Sequence, residues 1–266
     1  MKIGIVGLGV VGEACKFGFE KNGHVVRPYD PKKGYSDLSS LKDTEIVYIC
    51  VPTPMNDDGS CDISIVEQTV QTLCDISYYG IVAIKSTVPP GTTKNFDCPM
   101  FREIIFVPEF LRERCAITDF VELNRVLVVG CKDDDVYELV KDCHGDFPHE
   151  SIKVTPTQAE LIKYYHNCFG ALRVTVANEF YELCTSLGEE YVPVKRGLLK
   201  SGDIPDQYFD VNSNVRGWSS ICWNKDLPAL LSLADSLNVN MPIMKQTLEA
   251  NNLYKSTPFK GTRENY

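Results

Sequence analysis

The sequence predicts an α/β fold, a doubly wound parallel sheet followed by a mostly helical region, and three observations carry that prediction. Short, continuously apolar runs alternate with helical segments over residues 1–155. The first of these runs breaks into a glycine-rich turn at residues 7–12. From Pro156 the strand-like texture gives way to a pattern able to sustain one helix of about 30 residues, or about 45 Å. Continuous apolar strands joined by helices need cover on both faces, the condition met in a parallel sheet.

Taken in order, KIGIVG (2–7) is a strand, EACKFGFEKNG a helix ending near Gly23, and VVRPYD (25–30) a second strand ending in Asp30. EIVYICVPTP (45–54) reads as a buried strand stopped by prolines, followed by a polar loop and a helix over roughly 62–76. GIVAIKSTV (80–88), EIIFVPEF (103–110), RVLVVGC (125–131) and SIKVT (151–155) are further strands. After the long helix, VPVKRGLLKSG continues in helical style, 203–220 is polar and irregular, and 226–239 and 241–255 are two more helices. The expected organisation is a sheet domain over 1–155, a helical domain over 156–257 and a poorly packed tail over 258–266.

Composition narrows the function classes. With 27 Lys plus Arg against 36 Asp plus Glu, the net charge of −9 argues against non-specific binding of nucleic acid, which needs a basic surface. The 44% of hydrophobic residues supports a sizeable core, yet no stretch of about 18 apolar residues occurs and the N-terminus has no signal-peptide layout. A cytoplasmic protein without a membrane partner is expected. Eleven cysteines, an odd number scattered through apolar or helical patterns, read as mostly reduced core thiols.

Gly7-x-Gly9-x-x-Gly12 follows a strand and opens a helix, the context in which this spacing binds a dinucleotide. Gly7 allows the tight turn, Gly9 lets backbone approach a pyrophosphate, and Gly12 lets helix and strand pack closely. The helix N-terminus then offers unpaired N–H groups to the anion. Asp30 ends the second strand, where its carboxylate accepts from ribose hydroxyls and repels a 2′-phosphate. NAD rather than NADP is therefore the expected cofactor on a Rossmann-type sheet, with Arg27 the opposing signal on the same strand.

Outside the turn, Cys222 is expected in a polar loop, RGWSSICWNKD, close to Lys225 and Asp226, a setting that suits either a nucleophilic thiol or a structural one flanked by Trp218 and Trp223. Lys163 and Asn167 stand four apart on the long helix and so share a face, toward a site or as an exposed lysine and an interhelical amide. Glu109 and Glu113 follow a strand end, where a carboxylate orders water or accepts a proton; Arg112 and Arg114 equally allow an ion-paired turn. Cys143, His144 and His149 lack a second ligand pair, so no metal is expected. His24 and His166 read as packing or surface residues.

Seven segments together resemble the UDP-glucose/GDP-mannose dehydrogenase family, most closely its UDP-glucose 6-dehydrogenase branch: GLGVVG (7–12), CVPTP (50–54), KSTVPPGTT (85–93), PEFLRERCAITDF (108–120), NRVLVVG (124–130), AELIKYYHNCFGALRVTVANEF (159–180) and CWNKD (222–226). The resemblance implies a sheet domain that binds NAD and a helical central domain that dimerises through the long helix at 156–187. It also implies oxidation of the C6 alcohol of a nucleotide sugar to a carboxylate with two NAD.

Position by position, the resemblance makes Cys222 the nucleophile, and Lys163 and Asn167 the pair that steadies an oxyanion. Asp226 and Thr87 organise water, and Glu113 assists thioester hydrolysis. It implies cofactor contacts at Gly7, Gly9, Val10, Val11, Gly12, Asp30, Val51, Pro52, Thr53, Ser86 and Thr87, and substrate contacts at Glu109, Phe110, Leu111, Arg112, Lys163, Asn167 and Gly217. Three positions depart from the family pattern: Ser219 and Ser220 replace paired glycines, and Asn224 replaces a proline. The family continues into a further domain that binds the uridine diphosphate, so the chain reads as a piece of a longer enzyme, as a short homologue that uses a smaller substrate or a partner subunit, or as an NAD-binding dimer without turnover; the identity of the sugar is left open.

Overall fold

The computed structural model describes residues 1–202 and 204–254; the predicted tail lies outside them. The described residues divide into two compact units, one of residues 1–54 and 61–163, the other of residues 55–60, 164–202 and 204–254.

The first unit is built on seven strands: β1 (Lys2–Val6), β2 (Val25–Tyr29), β3 (Ile46–Ile49), β4 (Ile81–Ile84), β5 (Glu103–Phe106), β6 (Val126–Gly130) and β7 (Glu150–Val154). Their order is β2-β1-β3-β4-β5-β6-β7. The first five run parallel, as the alternation predicts. β6 turns against β5 through the single pair Phe106↔Gly130, and β7 runs parallel to β6. The order reverses direction beside β1, so the carboxyl ends of β1 and β3 flank the point where open α/β sheets take their ligands.

Side-chain alternation explains why these strands read as unbroken apolar runs. Ile46, Tyr48, Ile81 and Ala83 face one side, packed with Cys15 and Phe19 of α1 (Val10–Lys21). Phe120 of α3 (Ala116–Val121) and Val136 and Val140 of α4 (Asp134–His144) close the same side. Val47, Ile49, Val82 and Ile84 face the other, against Val66, Val70 and Leu73 of α2 (Ser64–Asp75) and Ala159 at the start of α5 (Pro156–Ser186). Both faces are covered, and the sheet is doubly wound.

The long helix has a built start and a built stop. Thr155 Oγ1 accepts from the Gln158 N–H while Gln158 Oε1 accepts from the Thr155 N–H, a reciprocal capping box. Gly188, at φ +74°, takes the left-handed position just past its end. The second unit continues with α6 (Tyr191–Lys200), α7 (Ile221–Ser236) and α8 (Pro242–Asn251). Its core is made of two small clusters, one of Cys168, Ala171, Val174, Trp218 and Leu227, the other of Ala177, Cys184, Tyr191, Phe209 and Val211.

The structure corrects the sequence reading at four places. α3 and α4 fall where no helix was expected; α4 has a sequence signal in Asp133, whose carboxylate caps Asp135 N–H, and in the spacing of Val136, Val140 and Cys143. β6 is antiparallel to β5. α7 begins at Ile221 rather than 226, because Ser220 Oγ accepts from the Trp223 N–H and starts the helix early. Cys222 consequently stands in a helical first turn and not in a loop. Finally, Cys74 and Cys98 form a disulfide with Cα atoms 6.5 Å apart, an exception to the expected reduced thiols.

Candidate active site

The glycine turn fits a dinucleotide by what its neighbours exclude. Gly7 is left-handed at φ +87°, and a Cβ there would lie 2.6 Å from the Cys50 carbonyl oxygen. A Cβ on Gly12 would lie 2.0 Å from the Gly7 carbonyl oxygen, whereas one on Gly9 would meet nothing within 4 Å. Two glycines are therefore required by the fold, and the third borders open space at the N-cap of α1, where an anion is favoured. Asp30 is tied to this turn: its Oδ2 accepts the Leu8 N–H at 2.9 Å and its Oδ1 the Lys32 N–H at 3.1 Å. Carboxylate lone pairs remain for ribose hydroxyls. Lys33 donates to the Leu8 carbonyl at 2.5 Å and pairs with Glu13 at 2.8 Å, closing the far side of the turn.

The other predicted cofactor residues lie at the same carboxyl edge of the sheet. Val51, Pro52 and Thr53 leave β3, and Ser86 and Thr87 leave β4. Ser86 Oγ donates to the Val51 carbonyl at 2.7 Å and Thr53 Oγ1 to the Thr87 carbonyl at 2.8 Å. These bonds cross-link the two exits. Behind them, fully buried Glu160 accepts the Gly91 and Thr93 N–H groups at 2.5 and 2.7 Å, fixing the Pro-Pro-Gly turn to α5. Burial raises the Glu160 carboxyl above its ordinary range despite those bonds.

Glu109 and Lys163 meet in a buried pair. Lys163 Nζ lies 2.8 Å from Glu109 Oε1 and 2.5 Å from the Glu109 carbonyl, and 5.6 Å from the centroid of the Phe110 ring. Burial opposes ionisation of Glu109, but the charge and hydrogen bond of Lys163 outweigh it, helped by the Leu111 N–H, and hold the carboxyl below its ordinary range. Arg112 instead makes a two-pronged contact with Asp119, from Nε at 3.0 Å and Nη2 at 2.6 Å. The ion-paired turn left open for Arg112 is therefore formed with Asp119, a partner the sequence reading did not name. Glu113 is exposed at the following turn.

The helical unit holds a second constellation. Asp226, 1% exposed, accepts the Asn167 amide at 2.6 Å and pairs with Lys225 at 2.6 Å. Cys222 lies one turn before Asp226 on α7 and, among the described residues, is the exposed cysteine. Two of the buried thiols are poor nucleophiles: burial pushes Cys168 and Cys143 each up to about 12. Gly217, at φ +57°, is pinned in place: its N–H donates to Asn178 Oδ1 at 3.1 Å, and Asn251 brackets Trp218 N–H and carbonyl at 2.8 and 2.9 Å. Asn178, Asn251, Asp119, Glu160 and Lys85 were not singled out in the sequence as site residues, although all but Asn251 lie in the resembling segments. For Lys85 and Glu160 the available signal was a charge inside an otherwise apolar segment.

His144 is a core residue, its Nδ1 2.8 Å from the Val140 carbonyl and its ring packed on Phe19 and Phe120; burial lowers it to about 3. Among the described residues no group of three or more His, Cys, Asp or Glu is arranged to hold a metal, and no helix is long and apolar enough to cross a membrane.

Two family models match: the NAD binding domain of the UDP-glucose/GDP-mannose dehydrogenase family over residues 32–147, and the central domain of the same family over 157–253. The chain belongs to the UDP-glucose/GDP-mannose dehydrogenase family. NAD is the cofactor of its sheet domain, and the open Gly9 and tethered Asp30 fit it. UDP-glucose 6-dehydrogenase TuaD of Bacillus subtilis is 28% identical over 80% of this chain and 47% of its own length. UDP-glucose 6-dehydrogenase AglM of Haloferax volcanii is 26% identical over 84% of this chain and 55% of its own. Among solved structures, a UDP-glucose dehydrogenase from the archaeon Pyrobaculum islandicum superposes with a TM-score of 0.84 at 26% identity, covering 95% of this chain and 68% of that one. The chain spans about half the length of the curated relatives it matches.

Proposed function

We propose that this chain oxidises the C6 alcohol of a nucleotide sugar, UDP-glucose by preference, to the carboxylate through a thioester on Cys222. The observation that carries the reading is the placement of Cys222 one turn before a buried Asp226 that is clamped by Asn167 and Lys225. Bound NAD supplies the hydride acceptor, two equivalents for each alcohol taken to a carboxylate.

In this reading water held by Thr87 and Asp226 takes the alcohol proton as hydride leaves C6. The Cys222 thiolate then adds to the aldehyde carbon. The C=O π electrons move to oxygen, and the oxyanion of this thiohemiacetal is stabilised by Lys163 and Asn167. Loss of a second hydride re-forms the C=O bond as a thioester. Water assisted by Glu113 adds to that carbonyl, the C–S bond breaks, and sulfur recovers its charge. The first turn of α7 favours negative charge on that sulfur.

The test is NADH formation by the purified chain with UDP-glucose, UDP-N-acetylglucosamine and GDP-mannose in separate assays. Two NADH per molecule of one sugar, with no carboxylate formed by Cys222→Ser, supports the reading and names the sugar. No NADH from any of them, by protein that binds NAD in calorimetry, makes the chain a cofactor-binding scaffold instead.

The assembly proposed is a two-fold dimer through α5. Leu161, Tyr165, Phe169, Val176, Phe180 and Leu183 recur along that helix at spacings of one or two turns and are each at least 37% exposed. A second copy of the same stripe would cover them. Light scattering that returns the monomer mass across a wide concentration range rules this out.

A further inference from the structure

We propose that Lys85 is a positioning residue of the candidate site: its buried ammonium holds the exit of β5 so that Glu109 meets Lys163. The inference rests on the reading above, in which Lys163 serves the reaction. Lys85 directly follows β4 and is 4% exposed. Its Nζ donates to the Val107 carbonyl at 3.3 Å and stands 5.7 Å from the centroid of the Tyr48 ring. Val107 is the first residue beyond β5, two before Glu109.

Among the described residues no carboxylate forms an ion pair with this ammonium; Glu109, which feels its charge, already pairs with Lys163. A cation so placed exchanges full hydration for one carbonyl and a ring face, which is unfavourable beside an aliphatic side chain of the same length. Methionine matches the lysine stem closely in length and carries no charge to desolvate. Lys85 therefore does not serve packing.

Its surroundings show what it does serve. The titratable groups facing it are Cys15 of α1, Tyr48 of β3, Cys50 just past β3, His144 of α4 and Glu109 beyond β5. Glu109 is the carboxylate among them. Its charge is held against burial by Lys163 first, then by the Leu111 N–H, with the Lys85 charge adding to both. The carbonyl contact anchors the first residue after β5, and the charge adds to Lys163 and the Leu111 N–H in favouring the carboxylate that follows.

The test compares the whole chain carrying Lys85→Met or Lys85→Arg with the unsubstituted protein, each labelled with ¹³C at the glutamate carboxyls, Glu109→Gln serving to assign the resonance. Lys85→Met is expected to melt no lower than the unsubstituted protein, while the Glu109 titration midpoint moves up and Lys85→Arg brings it back. In the NADH assay kcat falls about tenfold with KM nearly unchanged, the signature of an interaction that matters in the reacting state. Lys85→Met melting several degrees lower, with the Glu109 titration unmoved, makes the lysine a structural element and overturns the proposal. Titration and melting are read without turnover, so an inactive unsubstituted chain refutes the dehydrogenase reading and leaves this test intact.

Discussion

In the sheet unit the polar residues lie at the rim of a large apolar core, whereas in the helical unit they are part of the core. Glu109, Lys163 and Glu160 sit at the carboxyl edge of a sheet whose two faces are filled by more than thirty buried apolar side chains. Asp226 and Asn167, by contrast, stand beside a cluster of five buried residues, and Trp218, Asn178 and Asn251 complete the packing by hydrogen bonds. Rim groups can be changed at a cost confined to the site. Where the polar network is the core, the site and the stability of the unit are the same residues.

The largest effect should come from breaking that identity. Asp226→Ala leaves the Asn167 amide and the Lys225 ammonium without their acceptor, and about 3–5 kcal/mol of stability should be lost in urea titration. Glu109→Gln, at the rim, should lose clearly less. Equal losses would mean that the two units do not differ in this respect.

His144 is the exception within the sheet core and sharpens the comparison by its pH dependence. Its folded value of about 3 lies below the ordinary 6.5, so between those limits the unfolded chain binds the extra proton. Stability is fully present above about 6.5 and falls as pH drops toward 3, by about 1.4 kcal/mol per pH unit. His144→Leu should flatten that slope between pH 6 and 4. An unchanged slope would place the acid sensitivity in other groups.

At the cofactor turn the expected effect is smaller. Asp30→Asn keeps the geometry and removes the charge; NAD affinity measured by calorimetry should fall about tenfold or somewhat more, with NADP affinity falling less or rising. The smallest effect on folding should come from the exposed stripe. Phe180→Glu with Leu183→Glu should change the stability of the monomer by no more than about 0.5 kcal/mol each, and should shift the sedimenting species to monomer if the proposed dimer forms through this stripe. A large loss of monomer stability would show that the stripe packs within the chain.

Much of the sheet was legible in the residues because period and punctuation are local. Gly7, Gly9 and Gly12 between a strand and a helix, Asp30 at the next strand end, and the prolines after β3 and β4 need no distant partner to be read. α3 was missed because its six residues owe their helicity to packing, with Phe120 set against Phe19. The reversed β6 was missed because strand direction is set by the path of the connection, which leaves no mark in an apolar run. Cys222 was placed in a loop because Ser219, Ser220 and Asn224 read as polar linker; the cap by Ser220 becomes visible only when its hydroxyl meets the Trp223 N–H.

The sequence by itself determined the doubly wound α/β class, the dinucleotide turn and its acid, the long helix and the residue types of the candidate chemistry, since each follows from spacing along one element. Only the tertiary structure decided which polar groups meet: Lys163 with Glu109, Arg112 with Asp119, Asp226 with Asn167, and Lys85 with the Val107 carbonyl. The physical reason is that an ion pair or a buried hydrogen bond depends on distance and desolvation. Residues 54 or 59 positions apart acquire both only when the chain has folded.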